Sequence, residues 1–292
     1  MQDENPILKY WRSELEVFNK NLLSLQQQIN EEATHDLRVS IKKLRSCFKI
    51  YSALIEKKHK KELPAGFDSL FSILGKQRDI EMNKKLLLSL GGKNTALLNP
   101  ILVYLQLLQD QAVEYGRPSI QQFESGKLET LTNQMEAGLE NLTNEELLSR
   151  ANEIVNSSVE KVEDDLKHFK ERSHLIRKQL KDVFYQSKMF HGKGLFTKSQ
   201  LKTLDTILDH LGNVHDHEVL ISNLKNFRKT ILPNTMKEYG MIKRIEERVE
   251  KKKDNLLEKA YQSTEKLIAR YKKDDDPKKQ ASKRLRPSLK EQ

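Results

Sequence analysis

The sequence predicts an all-α protein, and three observations carry that reading. Only 11 Gly and 7 Pro are spread through 292 residues. Leu, Lys, Glu and Gln, all good helix formers, dominate. Apolar residues recur with a helical period, and no sustained period-2 alternation marks a strand. The single cysteine, Cys47, rules out an intramolecular disulfide and fits a reducing compartment. The longest apolar stretch, 101–108, falls far short of the ~20 residues that span a bilayer. Met1-Gln2-Asp3-Glu4-Asn5 lacks a basic segment with an apolar run behind it. The expectation is a cytoplasmic chain with no membrane partner.

The elements follow in order. A first helix is expected over about 5–30, with Leu22, Leu23, Leu25 and Ile29 on its apolar side. A second runs over 34–60 with Thr34 as N-cap. Pro64 and Gly66 break the chain before a third helix over 67–90, which Gly91-Gly92 ends. A fourth covers 95–115, and Gly116-Arg117-Pro118 reads as a turn. The stretch 119–143 is weakly patterned and reads as a short helix with flanking loops. Helices over 145–170 and 172–190 precede the break His191-Gly192-Lys193-Gly194. The last two cover 198–231, up to Pro233, and 235–272. In the last, Glu246, Glu247 and Glu250 with Lys251, Lys253 and Asp254 read as a salt-bridged solvent face. Beyond 272 apolar residues nearly vanish, so 273–292 reads as a disordered basic tail.

The chain repeats itself. His35-Asp36-Leu37-Arg38 returns as His174-Leu175-Ile176-Arg177, 139 residues later. The apolar stripe Leu37, Ile41, Leu44, Phe48 and Tyr51 falls on Ile176, Leu180, Val183, Ser187 and Phe190. Those positions share one helix face, and four of the five stay apolar. Leu74-Gly75-Lys76-Gln77-Arg78-Asp79 returns as Leu211-Gly212-Asn213-Val214-His215-Asp216, 137 residues on. The expected organisation is therefore two four-helix bundles, 1–143 and 144–272, related by an internal pseudo-twofold repeat. Gly75 and Gly212 cost ~1 kcal/mol each within helices relative to Ala, so close helix approach is expected there.

A basic stripe repeats as well. His35, Arg38, Lys42, Arg45 and Lys49 span an arc of roughly 80° on one helix. Their partners are His174, Arg177, Lys181, Phe184 and Lys188, with Phe184 the exception to the basic pattern. Lys plus Arg number 52 against 42 Asp plus Glu, and the +10 net charge favours an anionic partner.

These residues resemble the CHAD family, the conserved histidine α-helical domain. The resemblance rests on His35-x-x-Arg38-Val39-x-x-Lys42-Lys43-Leu44-Arg45 with Leu74-Gly75-x-x-Arg78-Asp79. Its second set is His174-x-x-Arg177-Lys178-x-x-Lys181 with Leu211-Gly212-x-x-His215-Asp216. It covers nearly the whole chain except the tail. The resemblance implies two four-helix bundles, a central channel lined by basic residues, and binding of inorganic polyphosphate. Phe184 stands at an expected basic position and His215 where Arg is typical. The family often accompanies a catalytic tunnel domain bearing Glu-x-Glu-x-Lys. Glu14-Leu15-Glu16-Val17-Phe18 comes closest to that motif but has Phe18 at the lysine position, so a stand-alone, non-catalytic member is expected.

The chemistry agrees. A phosphate polymer offers charge at regular spacing, and a stripe at i, i+3, i+7 and i+10 sets cations ~5 Å apart along the axis. Arg38, Arg45, Arg78 and Arg177 can fork onto phosphate oxygens, while Lys42, Lys49, Lys178, Lys181 and Lys188 act as point charges. His35, His174 and His215 are further candidates, and Asp79 and Asp216 are expected to orient these groups from behind. A sulfate or phosphate ion is expected to stand in for the ligand in crystals. Polyphosphate binding also implies association with polyphosphate granules. No cofactor is expected. Two other functions compete. His215-Asp216-His217-Glu218 crowds four potential metal ligands together, but adjacent helix positions point about 100° apart. Nucleic-acid binding fits the charge, though the stripe lacks interleaved aromatics. No carboxylate set for metal-assisted phosphoryl transfer stands out, so catalysis is not expected.

Overall fold

The computed structural model describes residues 4–55, 62–91, 95–190 and 196–275. All regular structure among these residues is helical. The α-helices are α1 (Pro6–Gln27), α2 (Glu31–Leu54), α3 (Phe67–Gly91), α4 (Asn99–Gln121), α5 (Gly126–Leu139), α6 (Asn144–Asp165), α7 (Phe169–Met189), α8 (Lys198–Thr230) and α9 (Lys237–Asp275). Among the described residues no helix is long and apolar enough to cross a membrane. The expected basic tail and the break at 191–194 lie outside the described residues, apart from the start of the tail at 273–275, which continues α9.

Several boundaries differ from expectation for identifiable reasons. α2 begins at Glu31, three residues before the expected Thr34 cap. Asn30 caps it, its side chain accepting from the Ala33 N–H at 2.8 Å. Asn is the stronger cap, and Glu31 and Glu32 favour the positive end of the helix dipole. Thr34 is buried and donates its hydroxyl to the Asn30 carbonyl. The expected turn at Gly116-Arg117-Pro118 is continuous helix inside α4. A Cβ on Gly116 would stand 2.3 Å from Ile73 Cγ2, so the glycine serves a close approach of α4 to α3. The expected break at 171 comes earlier, as a 3-10 turn over Leu166–His168. Gly66 does break the chain before α3, with φ at 89°.

The acidic face expected on α9 is also revised. Glu246 is buried, and its carboxylate accepts from Arg228 on α8 at 3.2 Å. It therefore ties two helices together rather than facing water.

The apolar interior forms three clusters. The first joins α1, α2, the first half of α3 and α5 around Trp11, Phe18 and Tyr51. Trp11 Nε1 donates to Thr132 Oγ1 at 2.8 Å, which satisfies the buried indole. The second joins α6, α7, the first half of α8 and the end of α9. The third draws on the second halves of α3 and α8 together with α4 and the start of α9. α3 and α8 thus each run from one core into another. Across the molecule α2 packs on α7 and α3 on α8, which brings four helices around one cleft.

Candidate functional site

α2 carries its apolar stripe inward, with Leu37, Ile41 and Leu44 fully buried. Its basic stripe lies roughly 120° around the helix and so reaches the cleft. α7 repeats the arrangement with Ile176, Leu180 and Val183 buried. The cleft has a volume of about 740 Å3 and is walled by α2, α3, α7 and α8.

From α2 and α3 it receives His35, Arg38, Lys42, Arg45, Arg78 and Asp79. From α7 and α8 it receives His174, Arg177, Lys178, Lys181, His215 and Asp216. Lys49 and Lys188 do not line it. Lys49 is exposed and pairs with Asp182 at 2.6 Å. Lys188 is exposed and lies over the Phe184 ring, 4.1 Å from its centroid.

The arginines are held in place by neighbouring groups. Arg38 donates to the Phe71 carbonyl at 3.0 Å and lies over the Phe71 ring. Arg45 stacks on the other end of the same ring at 4.2 Å and pairs with exposed Asp68. Arg38 also lies directly over Gly75, with its Nη1 2.6 Å from where a Cβ would stand. The expected close approach at Gly75 is therefore made by a guanidinium rather than by a helix backbone. Gly212 lies similarly near Arg177, at 3.8 Å. His174 and His215 stand with ring centroids 6.0 Å apart.

Three guanidinium N–H groups in the cleft, Arg45 Nε, Arg78 Nη1 and Arg177 Nε, are buried with no hydrogen-bond partner among the described residues. All three can donate to an acceptor in the cleft.

Crowding of cations perturbs their titration. Burial, then Lys42, Arg177 and Arg38, push Lys181 down to about 6. Burial, then Arg38, Arg177 and Arg78, push Lys42 down to about 8. Burial followed by Arg78 lowers His35, and burial followed by Lys178 and His215 lowers His174. Burial raises Asp79, opposed by Arg38 and His215 and reinforced by Asp216. Asp79 thus lies within electrostatic reach of the cations at the centre of the cleft.

The crowded His215-Asp216-His217-Glu218 segment divides. His215 and Asp216 face the cleft, while His217 is buried with Nδ1 2.7 Å from the Asn213 carbonyl. Among the described residues no group of three or more His, Cys, Asp or Glu is placed to hold a metal ion.

Sequence reasoning missed Phe71, Met82, Asp182, Tyr185, Asp205, Leu208 and Asp209 as lining residues. No local motif marks them, and Asp205 follows only from the register of paired helices. Arg45 stands opposite Asp68, and the same register on α7 and α8 leads to Asp205.

The family model for the CHAD domain matches residues 9–225. Among solved structures, the chain is similar to the CHAD domain from the plant Ricinus communis, at 18% identity and a TM-score of 0.65. That match covers 89% of this chain and 90% of the other. It is also similar to PptA from Streptomyces chartreusis, at 11% identity and a TM-score of 0.62, over 90% of this chain and 97% of that one. At such identities these likenesses show a shared fold. No curated protein matches. Because the family model spans more than half of the sequence and the solved relatives share its fold, the chain belongs to the CHAD domain family.

Proposed function

We propose that this protein binds inorganic polyphosphate, without catalysis, in the basic cleft between α2–α3 and α7–α8. The observation that carries the reading is the convergence of Arg38, Lys42 and Arg78 with Arg177 and Lys181 on one cleft, with guanidinium donors left unpaired. These side chains are half-buried, and like charges crowded partly out of water oppose folding unless an anion joins them. A phosphate chain supplies repeated acceptor oxygens at the spacing of the stripes. Arg forks and Lys point charges would share these oxygens, and counterion release would drive part of the affinity.

The proposal extends to the architecture. The expected pair of four-helix bundles is revised to halves of five α-helices in 1–143 and four in 144–272, related by a pseudo-twofold repeat in which α2 with α3 answers α7 with α8. Support comes from Arg38 over Gly75 beside Arg177 near Gly212, and from the way α2 with α3 and α7 with α8 supply matching walls. The channel then lies on the repeat axis, and the protein acts in the cytoplasm where polyphosphate accumulates, in association with its granules. The non-catalytic reading is supported by the centre of the lining, where Asp79 and Asp216 are outnumbered by cations.

The test is a titration of the full chain with long polyphosphate, double-stranded DNA and heparin at matched charge concentration and physiological salt. Polyphosphate should bind tightest. Equal binding of all three would make the protein a generic polycation, and a preference for DNA would favour nucleic-acid binding. Loss of phosphate from the bound polymer during the titration would overturn the non-catalytic reading.

A further inference from the structure

The repeat breaks at one end of the cleft, nearest the α7–α8 connection. Arg38 over Gly75 and Arg45 paired with Asp68 fix the antiparallel register of α2 and α3. Arg177 near Gly212 and His174 beside His215 fix the same register for α7 and α8. Two turns along α7 from Arg177, about 10 Å, that register sets Phe184 opposite Asp205. Its counterpart is Arg45 opposite Asp68. In the first half a guanidinium meets the carboxylate. In the second a largely buried phenyl ring takes its place, with the Lys188 ammonium over one face, and among the described residues no cation pairs with Asp205. Leu208 stands where the first half has Phe71, and Tyr185 stands where it has the buried Ser46. All of these line the cleft, with exposed Asp209 one turn beyond Asp205.

One end of the cleft is therefore a row of cations, and the other is an apolar floor beside two carboxylates. A bare phosphate chain gains nothing there, because Asp205 and Asp209 repel it. An uncharged group with apolar faces and N–H or O–H donors gains on both counts: it covers the floor and donates to the carboxylates. A cleft of about 740 Å3 is in the size range of small-molecule sites.

We propose that the cleft takes nucleoside triphosphates, with the phosphates on Arg38, Lys42, Arg177 and Lys181. The nucleoside lies on the floor of Phe184, Tyr185 and Leu208, its donors directed at Asp205 and Asp209. This rests on the reading of the cleft as a phosphate site.

The experiment titrates the full chain with GTP, ATP, inorganic tripolyphosphate and long polyphosphate in one buffer free of divalent cations. The triphosphates carry comparable charge, so the ratio of nucleotide to tripolyphosphate affinity isolates the nucleoside. At least one nucleotide should bind about tenfold tighter than tripolyphosphate. In the variant Asp205→Ala with Asp209→Ala, at exposed positions away from the core, that ratio should fall several-fold while tripolyphosphate binds more tightly. Nucleotides no tighter than tripolyphosphate, or a ratio unchanged in the double variant, overturn the nucleoside site and leave polyphosphate binding standing. If none of the four ligands binds, both readings fall.

Discussion

The guanidinium of Arg38 occupies the space over Gly75, its Nη1 2.6 Å from where a Cβ on that glycine would stand. The neighbour that must yield is the end of a flexible side chain, so the helix itself survives the substitution. Gly75→Ala should therefore leave the melting temperature level or slightly raised, because Ala is the better helix former by ~1 kcal/mol. It should weaken polyphosphate binding several-fold, because Arg38 is pushed away from the Phe71 carbonyl that positions it. Gly212→Ala meets Arg177 only at 3.8 Å and should stabilise without loss of binding. Thermal melts and titrations of the two variants check both halves of the comparison.

The same pair shows how much was legible in the sequence. The apolar stripe of Leu37, Ile41 and Leu44 and the basic stripe beside it follow from helix geometry alone; the first is buried and the second lines the cleft except at Lys49. The helix through Gly116 and Pro118 was not legible, because what holds it is the contact of Gly116 with Ile73 on another helix. Glu246 likewise reads as solvent-facing until Arg228 is brought to it by the packing of α8 on α9. Asp205 and Asp209 carry no local motif. They enter the cleft only once the α7–α8 register is known.

Removing Arg38 and Lys42 together should separate binding from stability. Arg38→Ala with Lys42→Ala should cut polyphosphate affinity by about a hundredfold or more, since two cations leave the centre of the cleft. The melting temperature should barely change. The lost Arg38 hydrogen bond contributes ~1 kcal/mol, and relief of the desolvated Lys42 amine offsets it. The comparison is truncation after Asp275. The cut belongs there because Tyr271 stacks on Phe196 at 4.6 Å and Lys272 pairs with Glu163. Truncation should change affinity less than about threefold, since the sequence beyond 275 has almost no apolar residues to hold its lysines in place. A truncation that abolishes binding while the double variant retains it would move the site to the tail.

Lys49 and Lys188 belong to the same sequence stripes yet lie outside the cleft. Lys49→Ala and Lys188→Ala should each change polyphosphate affinity less than about twofold, as expected of exposed charges already engaged elsewhere. Affinity of the intact protein should fall steeply with salt, and the slope of log affinity against log salt should shrink with Arg177→Ala but not with either lysine variant.

Proton uptake provides the sharpest reading of the cleft. In the free protein Lys181 titrates near 6, far below its ordinary 10.5, and Lys42 near 8. At pH 7 Lys181 is then mostly neutral and Lys42 mostly charged. A bound polyanion favours the ammonium form and raises Lys181, so binding at pH 7 should take up close to one proton. Calorimetry in two buffers of different ionisation enthalpy measures this directly. Affinity should fall as pH rises from 6, by up to about tenfold per unit for one linked proton. Lys181→Met should abolish most of the uptake at pH 7 and weaken binding. The same substitution should stabilise the free protein. The lowered pKa means that the unfolded chain holds more protons than the folded one between about 6 and 10.5, so the amine opposes folding there. That opposition is greatest below 6, where the buried amine must carry its charge, and fades as pH approaches 10.5. The melting advantage of Lys181→Met should follow it, large at pH 6 and small at pH 10. An advantage that does not vary with pH would mean that Lys181 is an ordinary solvated lysine, and its place at the centre of the cleft would have to be abandoned.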